Sequence, residues 1–384
     1  MLLFRLGFAA FCLSCLSACG KPAAKESSAA NSAAAAGPET TAPAVTLPAE
    51  TPAEDAETAP APGMVRSCLT HEWVAEAVNA ERPIAVMYPT DKKAQPQYGI
   101  SRAEIFYEIM EEGDMTRQMA VTKDWEDLAR IGNIRSIRDY FIHVGLEWDP
   151  VFVHAGGPEV FVKKLLTRPD VDNINSVGGV MGSDYGAFYR VPAGTVSVHK
   201  LYTDAAHITS AIQQGGFKTT HSSKYIPEHF RFHKGDTLYR LEDRPESAEG
   251  TEIDLSGAFP ISSSTYSYHP EDGLYYKNIY GAPQKDAADG RQLAFSNLLI
   301  EACQWGERGK SYKMFQTIDK GQRGWFLTGG RIIPVTWEKA DDYAPTHFYD
   351  ADGQEIQLNT GRTAISIIRA GKDSFTVNGT VYQD

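Results

Sequence analysis

The stretch Ile131–Gly157, IGNIRSIRDYFIHVGLEWDPVFVHAGG, decides how this chain is read. Gly132-Asn133 has the form of a helix start, with Asn133 as N-cap. Ile134, Ile137, Phe141, Val144 and Trp148 recur at three- and four-residue steps and make one apolar stripe. The spacing predicts an amphipathic helix, with Arg135, Asp139 and His143 on the opposite side and Arg138 at the border. The macrodipole disfavours two arginines near the positive end of such a helix. Asp139, four residues after Arg135, is one compensation. A bound anion is another, because free backbone N–H groups and arginine forks suit phosphate or carboxylate. An ordinary surface ion pair fits the same spacing.

Pro150 to His154 is short, apolar and β-branched, the pattern of a buried parallel strand. Ala155-Gly156-Gly157-Pro158-Glu159 then leads into a helix from Val160 to Thr167, with proline near its start. In open α/β sheets, ligands collect where strands end and helices begin, and His154 stands at that edge. A packed, hydrogen-bonded histidine fits the same place.

Outward from this stretch, the pattern alternates. Strands are expected at Pro83–Tyr88, Ile105–Met110 and Arg117–Thr122, and a short one near Asn173. A helix is expected from Ala205 to Gln214, ended by Gly215-Gly216. Residues 65–228 therefore read as an α/β domain. From His229 the chemistry turns to β, and 229–384 read as a mostly antiparallel β domain, α+β overall. Thr265–His269 and Leu274–Ile279 flank an Asp-Gly turn and predict a hairpin. His229 and His233 lie on one face of an expected strand rather than at helical metal-ligand spacing. Asp350-Ala351-Asp352-Gly353 reads as a hairpin turn, since strands rather than helices flank it.

The chain has 384 residues, a formal net charge of −12 and 42% hydrophobic residues. A core is affordable at this length. The acidic balance argues against nucleic acid as a partner, since phosphate backbones need a basic surface. Arg5 followed by the apolar run Leu6–Leu13 has the form of a secretory signal, too short to span a bilayer. Leu16-Ser17-Ala18-Cys19 resembles the bacterial lipobox, so residues 1–18 read as a lipoprotein signal peptide and Cys19 as the lipidated first residue. Acyl chains there would hold the protein to a membrane at about 0.8 kcal/mol per buried methylene. Residues 19–64 are rich in Ala, Pro, Glu, Thr and Ser and read as a disordered tether spanning on the order of 40 Å. The expected location is the outer face of the cell membrane, or the periplasm in a Gram-negative source. Cys68 and Cys303 remain in the folded part; a buried free thiol is favoured over a bridge, although export permits one.

Motifs with a built-in chemistry are missing. There is no GxSxG elbow, HExxH, P-loop or GxGxxG, and no cofactor or metal fingerprint. The ordered set RPIAVMYPT, PQYGISRAEIFYEIMEEGDMTRQMAV, IGNIRSIRDYFI, DPVFVHAGG and SVHKLYT resembles the YerB-type bacterial lipoprotein family. DGRQLAFSNLLIE and FYDADGQEIQLNTGRT extend the resemblance into the second half. The resemblance implies a two-part domain of unknown function in an envelope lipoprotein, and it supplies no reaction. It places Arg135, Arg138, Asp139, His154, Gly156 and His199 in shared motifs and so implies a common ligand site for them. This chain departs from the family at Gln95, at Val198-His199-Lys200 and at Gln284.

Three functions are compatible with these residues. The first is a lipoprotein that binds an anionic envelope ligand (a glycan, phosphate or carboxylate) through the six motif residues. The second is a non-catalytic scaffold for a membrane complex, with an envelope protein as partner. The third is a cell-wall glycan hydrolase using His154 or His199 with Asp139 or Asp184.

Overall fold

A computed structural model of the protein describes residues 57–191, 199–235, 237–309 and 311–384. The signal peptide, Cys19, most of the tether and Val198 lie outside the described residues. The central element is an eleven-stranded mixed sheet. In chain order its strands are β1 (Ile84–Pro89), β2 (Ile105–Met110), β3 (Thr116–Thr122), β4 (Val151–His154), β5 (Asn173–Asn175) and β6 (Ala248–Glu249). β7 (Asn297–Cys303), β8 (Gln322–Thr328), β9 (Arg331–Glu338), β10 (His347–Tyr349) and β11 (Thr363–Arg369) follow. Across the sheet they run β6-β9-β8-β7-β11-β2-β3-β1-β4-β5, with β10 beside β9.

The sheet passes through the point near residue 228 where the sequence divides into two patterns. β11 pairs in parallel with β2, in register from Thr363 opposite Ile105 to Ile367 opposite Ile109. It also pairs in parallel with β7. Strands from both halves of the chain therefore share one hydrogen-bonded layer. These strands are buried on both faces, as the unbroken apolar runs require. Alternation sorts the side chains. Leu298, Ile300 and Ala302 enter one core with Phe106, Trp325 and Phe375. Leu299 and Cys303 enter the other with Tyr107, Phe326 and Trp148.

A seven-stranded antiparallel sheet contributes Ile253, Tyr266, Tyr275 and Val377 to the first core. The expected hairpin at Thr265–His269 and Leu274–Ile279 lies within it, in register from Thr265 opposite Asn278. Helices are few and short: α1 (Asp139–Gly145), α2 (Glu159–Leu166) and α3 (Ala205–Gly215) are the ones used below. Asp204 caps α3 through its side chain, and Gly216 ends it in the left-handed conformation. Among the described residues no helix is long and apolar enough to cross a membrane. Cys68 and Cys303 are both free thiols.

The helix expected to begin at Asn133 needs correction. Helix starts only at Asp139 and continues as a short 3₁₀ turn through Trp148. Residues 133–138 are not helical, because their backbone groups bond to neighbouring segments instead. Ile134 N donates to Leu201 O, Arg135 N to Met87 O, and Ile137 N to Gly156 O. Arg135 O accepts from Ala155 N at 3.0 Å. The apolar stripe is buried throughout, as its pattern requires. Tertiary hydrogen bonds simply outweigh the local helical period.

Candidate functional site

β1 and β4 are parallel neighbours, so their C-terminal ends lie side by side. The extended segment 131–137 crosses both ends, bonding to Met87 of β1 and to the turn after β4. This places Arg135 at the C-terminal edge of the sheet, the region where α/β folds hold ligands. β3 runs antiparallel to β1, with Arg117 directly opposite Pro89. Arg117 is thereby brought to the same edge. Asp91 and Lys93 follow on the loop after β1, and His199 reaches this loop, with Nε2 3.9 Å from the Asp91 carboxylate.

Three basic side chains thus gather at one point. Burial lowers the pKa of Arg135, and Arg117 and Arg138 lower it further against Asp91 and Glu111. Burial also lowers the pKa of His199, helped by Arg135, Arg117 and Lys93 and opposed by Asp91. Each group carries a buried nitrogen with no hydrogen-bond partner among the described residues: Arg117 Nη1, Arg135 Nε and His199 Nδ1. No carboxylate among the described residues lies within ion-pair distance of Arg135. Unpaired buried donors of this kind cost stability, and native proteins rarely tolerate a cluster of them without a purpose.

The other residues expected to join Arg135 and His199 are committed elsewhere. Arg138 donates to both oxygens of Glu112, at 3.0 and 3.1 Å, and its Nη2 lies 2.8 Å from Glu111. Burial works against its charge, but Glu112 and Glu111 outweigh that and raise its pKa. Glu111 also holds the rest of Arg117, with a 3.1 Å bond to Nε. Asp139 pairs with Arg308. His154 is fully buried, with Nδ1 2.9 Å from Gly156 O and Nε2 3.2 Å from Asn173 Oδ1. Burial lowers its pKa, against the hydrogen bonds to Gly156 and Asn173. Gly156 has φ +67°, and a Cβ there would stand 2.8 Å from Val177 Cγ2. Its N–H donates to Asn175 Oδ1. His154 and Gly156 therefore fix the turn after β4. Asp184, the other candidate acid, sits exposed in a turn and accepts from Gly186 N.

Arg117 and Asp91 were not singled out from the sequence. A usable signal existed for the first: an arginine inside a strand buried on both faces must find partners or a ligand. A hollow of about 650 Å³ beside α3 is a poor competitor for an anion, because Glu126, Asp127 and Asp204 line it.

Comparison with known proteins supplies a family. Residues 69–218 match the family described as "Protein of unknown function (DUF3048) N-terminal domain". Residues 255–365 match its C-terminal counterpart. The chain is 24% identical over 307 residues to the Bacillus subtilis (strain 168) protein named "Putative lipoprotein YerB", spanning 79% of this chain and 86% of that one. The crystal structure of the YerB protein from Bacillus subtilis superposes with a TM-score of 0.67 at 23% identity, covering 81% of this chain and 99% of that chain. That likeness shows the shared fold. With both halves matched in order, the chain belongs to the YerB-type family, the two-part DUF3048 group whose function is unknown.

Proposed function

We propose that the protein is an exported lipoprotein, held at a membrane by acyl chains on Cys19, whose folded body binds an anionic envelope ligand. Residues 65–228 act as the α/β unit that carries the site, and 229–384 as the β-rich unit that supports it. The binding residues are Arg117, Arg135 and His199. Arg138, Asp139, His154 and Gly156 shape the surroundings. The observation that carries the reading is the trio of buried nitrogens, unpartnered among the described residues, on basic groups that act on one another's charge. A phosphate or carboxylate would accept from all three and relieve the repulsion. A hydrolase is less well supported, because the ring nitrogens of His154 are both engaged and its pKa is lowered.

The test is calorimetric titration with orthophosphate across the histidine range. In the free protein burial and the basic neighbours lower the pKa of His199, against the pull of Asp91. A bound anion favours the imidazolium, so binding takes up a proton and affinity rises as pH falls. Proton uptake is read from the dependence of the heat on buffer ionisation enthalpy. Arg135→Ala should lower affinity at least tenfold, the loss of about 1.4 kcal/mol or more from a charge-assisted bond. No heat with orthophosphate, or an affinity that ignores both pH and Arg135→Ala, contradicts the reading.

A further inference from the structure

The loop after β1 and the extended segment leave buried hydrogen-bond acceptors open as well as donors among the described residues. Gln97 is fully buried and Asn133 nearly so. Gln97 Nε2 donates to Pro89 O at 2.5 Å, and Asn133 Nδ2 donates to Ala94 O at 3.1 Å. Those two bonds fix which way each amide faces. They leave Gln97 Oε1 and Asn133 Oδ1 buried and without a donor among the described residues. Gln95 Nε2 is a further buried donor without a partner there.

The placement is specific. Pro89 ends β1 and stands opposite Arg117, so the Gln97 amide is tied to the strand end that presents Arg117. Asn133 lies two residues before Arg135 on the extended segment and is tied to the loop that carries Asp91 and Lys93. A bare anion satisfies the donors and leaves both amide oxygens unpaired.

We infer that the ligand of this site is a polyol carrying one anionic group, a sugar phosphate or sugar acid, whose hydroxyls donate to Gln97 Oε1 and Asn133 Oδ1. This rests on the anion-binding reading and deepens it. Hydroxyls fit better than an ammonium, because the open acceptors are neutral amide oxygens. A site built to hydrogen-bond a hydroxyl discriminates strongly against an analogue that lacks it.

The experiment compares methyl phosphate, glucose 6-phosphate, acetate and N-acetylglycine by titration against the whole folded chain. Glucose 6-phosphate should bind at least tenfold more tightly than methyl phosphate, which carries the same kind of anion without hydroxyls. Gln97→Met and Asn133→Leu should each shrink that preference, read as the ratio of the two affinities in the same protein. If either variant fails to fold, the ligand comparison in the unaltered protein still decides. Equal binding of the two phosphates overturns this inference and leaves the anion site standing. A preference that survives both folded variants overturns it too. So does tighter binding of N-acetylglycine than acetate with no preference among the phosphates, since amide N–H groups would then be the donors. Binding of none of the four defeats the anion-binding reading itself, and this inference with it.

Discussion

Glu108→Ala is expected to cost about 3–5 kcal/mol of folding stability, enough to threaten the native state of an ordinary domain. Glu108 and Lys277 are both fully buried, with Nζ 2.6 Å from Oε2. Thr116 donates to the same carboxylate at 2.7 Å, Ser262 at 3.2 Å, and Ser264 at 2.9 and 3.0 Å. Burial works against the charge of Glu108, yet Lys277 and the hydroxyls outweigh it and hold the carboxyl below its usual pKa. Burial works against the charge of Lys277 as well, but Glu108 raises its pKa. The pair joins β2 of the large sheet to the hairpin of the small one. Alanine at 108 strands an ammonium in a dry interior. Glu108→Met with Lys277→Met removes both charges and should recover to within about 1 kcal/mol of the natural pair.

The pH profile follows from the directions of the shifts. The contribution of Glu108 is present above the unfolded carboxylate range and is lost as pH falls through its lowered folded pKa. That of Lys277 is lost only as pH rises through a pKa above the ordinary lysine value. Urea unfolding of the three proteins near neutral pH checks the account. A cost below about 1 kcal/mol for Glu108→Ala would show that the pair is not buried as described.

Glu301→Gln should make the protein more stable at alkaline pH, by on the order of 2–4 kcal/mol. Glu301 lies on β7, wholly within the core, and its pKa is raised to about 8, first by burial and then by Glu147, against the pull of Lys339. The folded state keeps this proton where the unfolded chain has lost it. Stability from this group is therefore full below the unfolded pKa of 4.5 and is lost as pH rises through about 8. Glutamine carries no charge at any of these values and should flatten that part of the curve. The hydrogen-bonding needs of its amide offset some of the gain. Unfolding curves of the two proteins should converge near pH 4 and separate progressively up to pH 9. Parallel curves would mean that Glu301 ionises freely in the folded protein.

Local chemistry was legible in the sequence wherever burial set the pattern. β2 at Ile105–Met110 and the hairpin around the Asp272-Gly273 turn lie where alternation and turn residues place them. α3 has an aspartate cap before it and a left-handed glycine after it, both visible as residue types. Residues 133–138 defeated the same logic. Ile134 and Ile137 are fully buried whether the segment is helical or extended, so a burial period cannot tell the two apart. What decided was the supply of backbone partners from Met87, Leu201 and Gly156, which are remote in sequence. The site was partly hidden for a related reason. Arg138 is neutralised by a glutamate 26 residues away, and Asp139 by an arginine 169 residues away. Neither partner follows from helical spacing. Arg135 lies close enough to His199 to act on its charge, and Arg117 joins them only because β3 runs back beside β1.

On the proposed reading, Arg135 is kept for a ligand and not for the fold. Its Nε is buried without a partner among the described residues, and its neighbours Arg117 and Arg138 repel it. Removing it should therefore relieve the free protein. The direct test is urea unfolding of the natural protein and of Arg135→Ala, each with and without orthophosphate. The account predicts that the variant without phosphate is at least as stable as the natural protein, by up to about 1 kcal/mol more, and that phosphate stabilises only the natural protein. A variant that is less stable by 1 kcal/mol or so, with phosphate acting equally on both proteins, would make Arg135 a packing residue and contradict the claim.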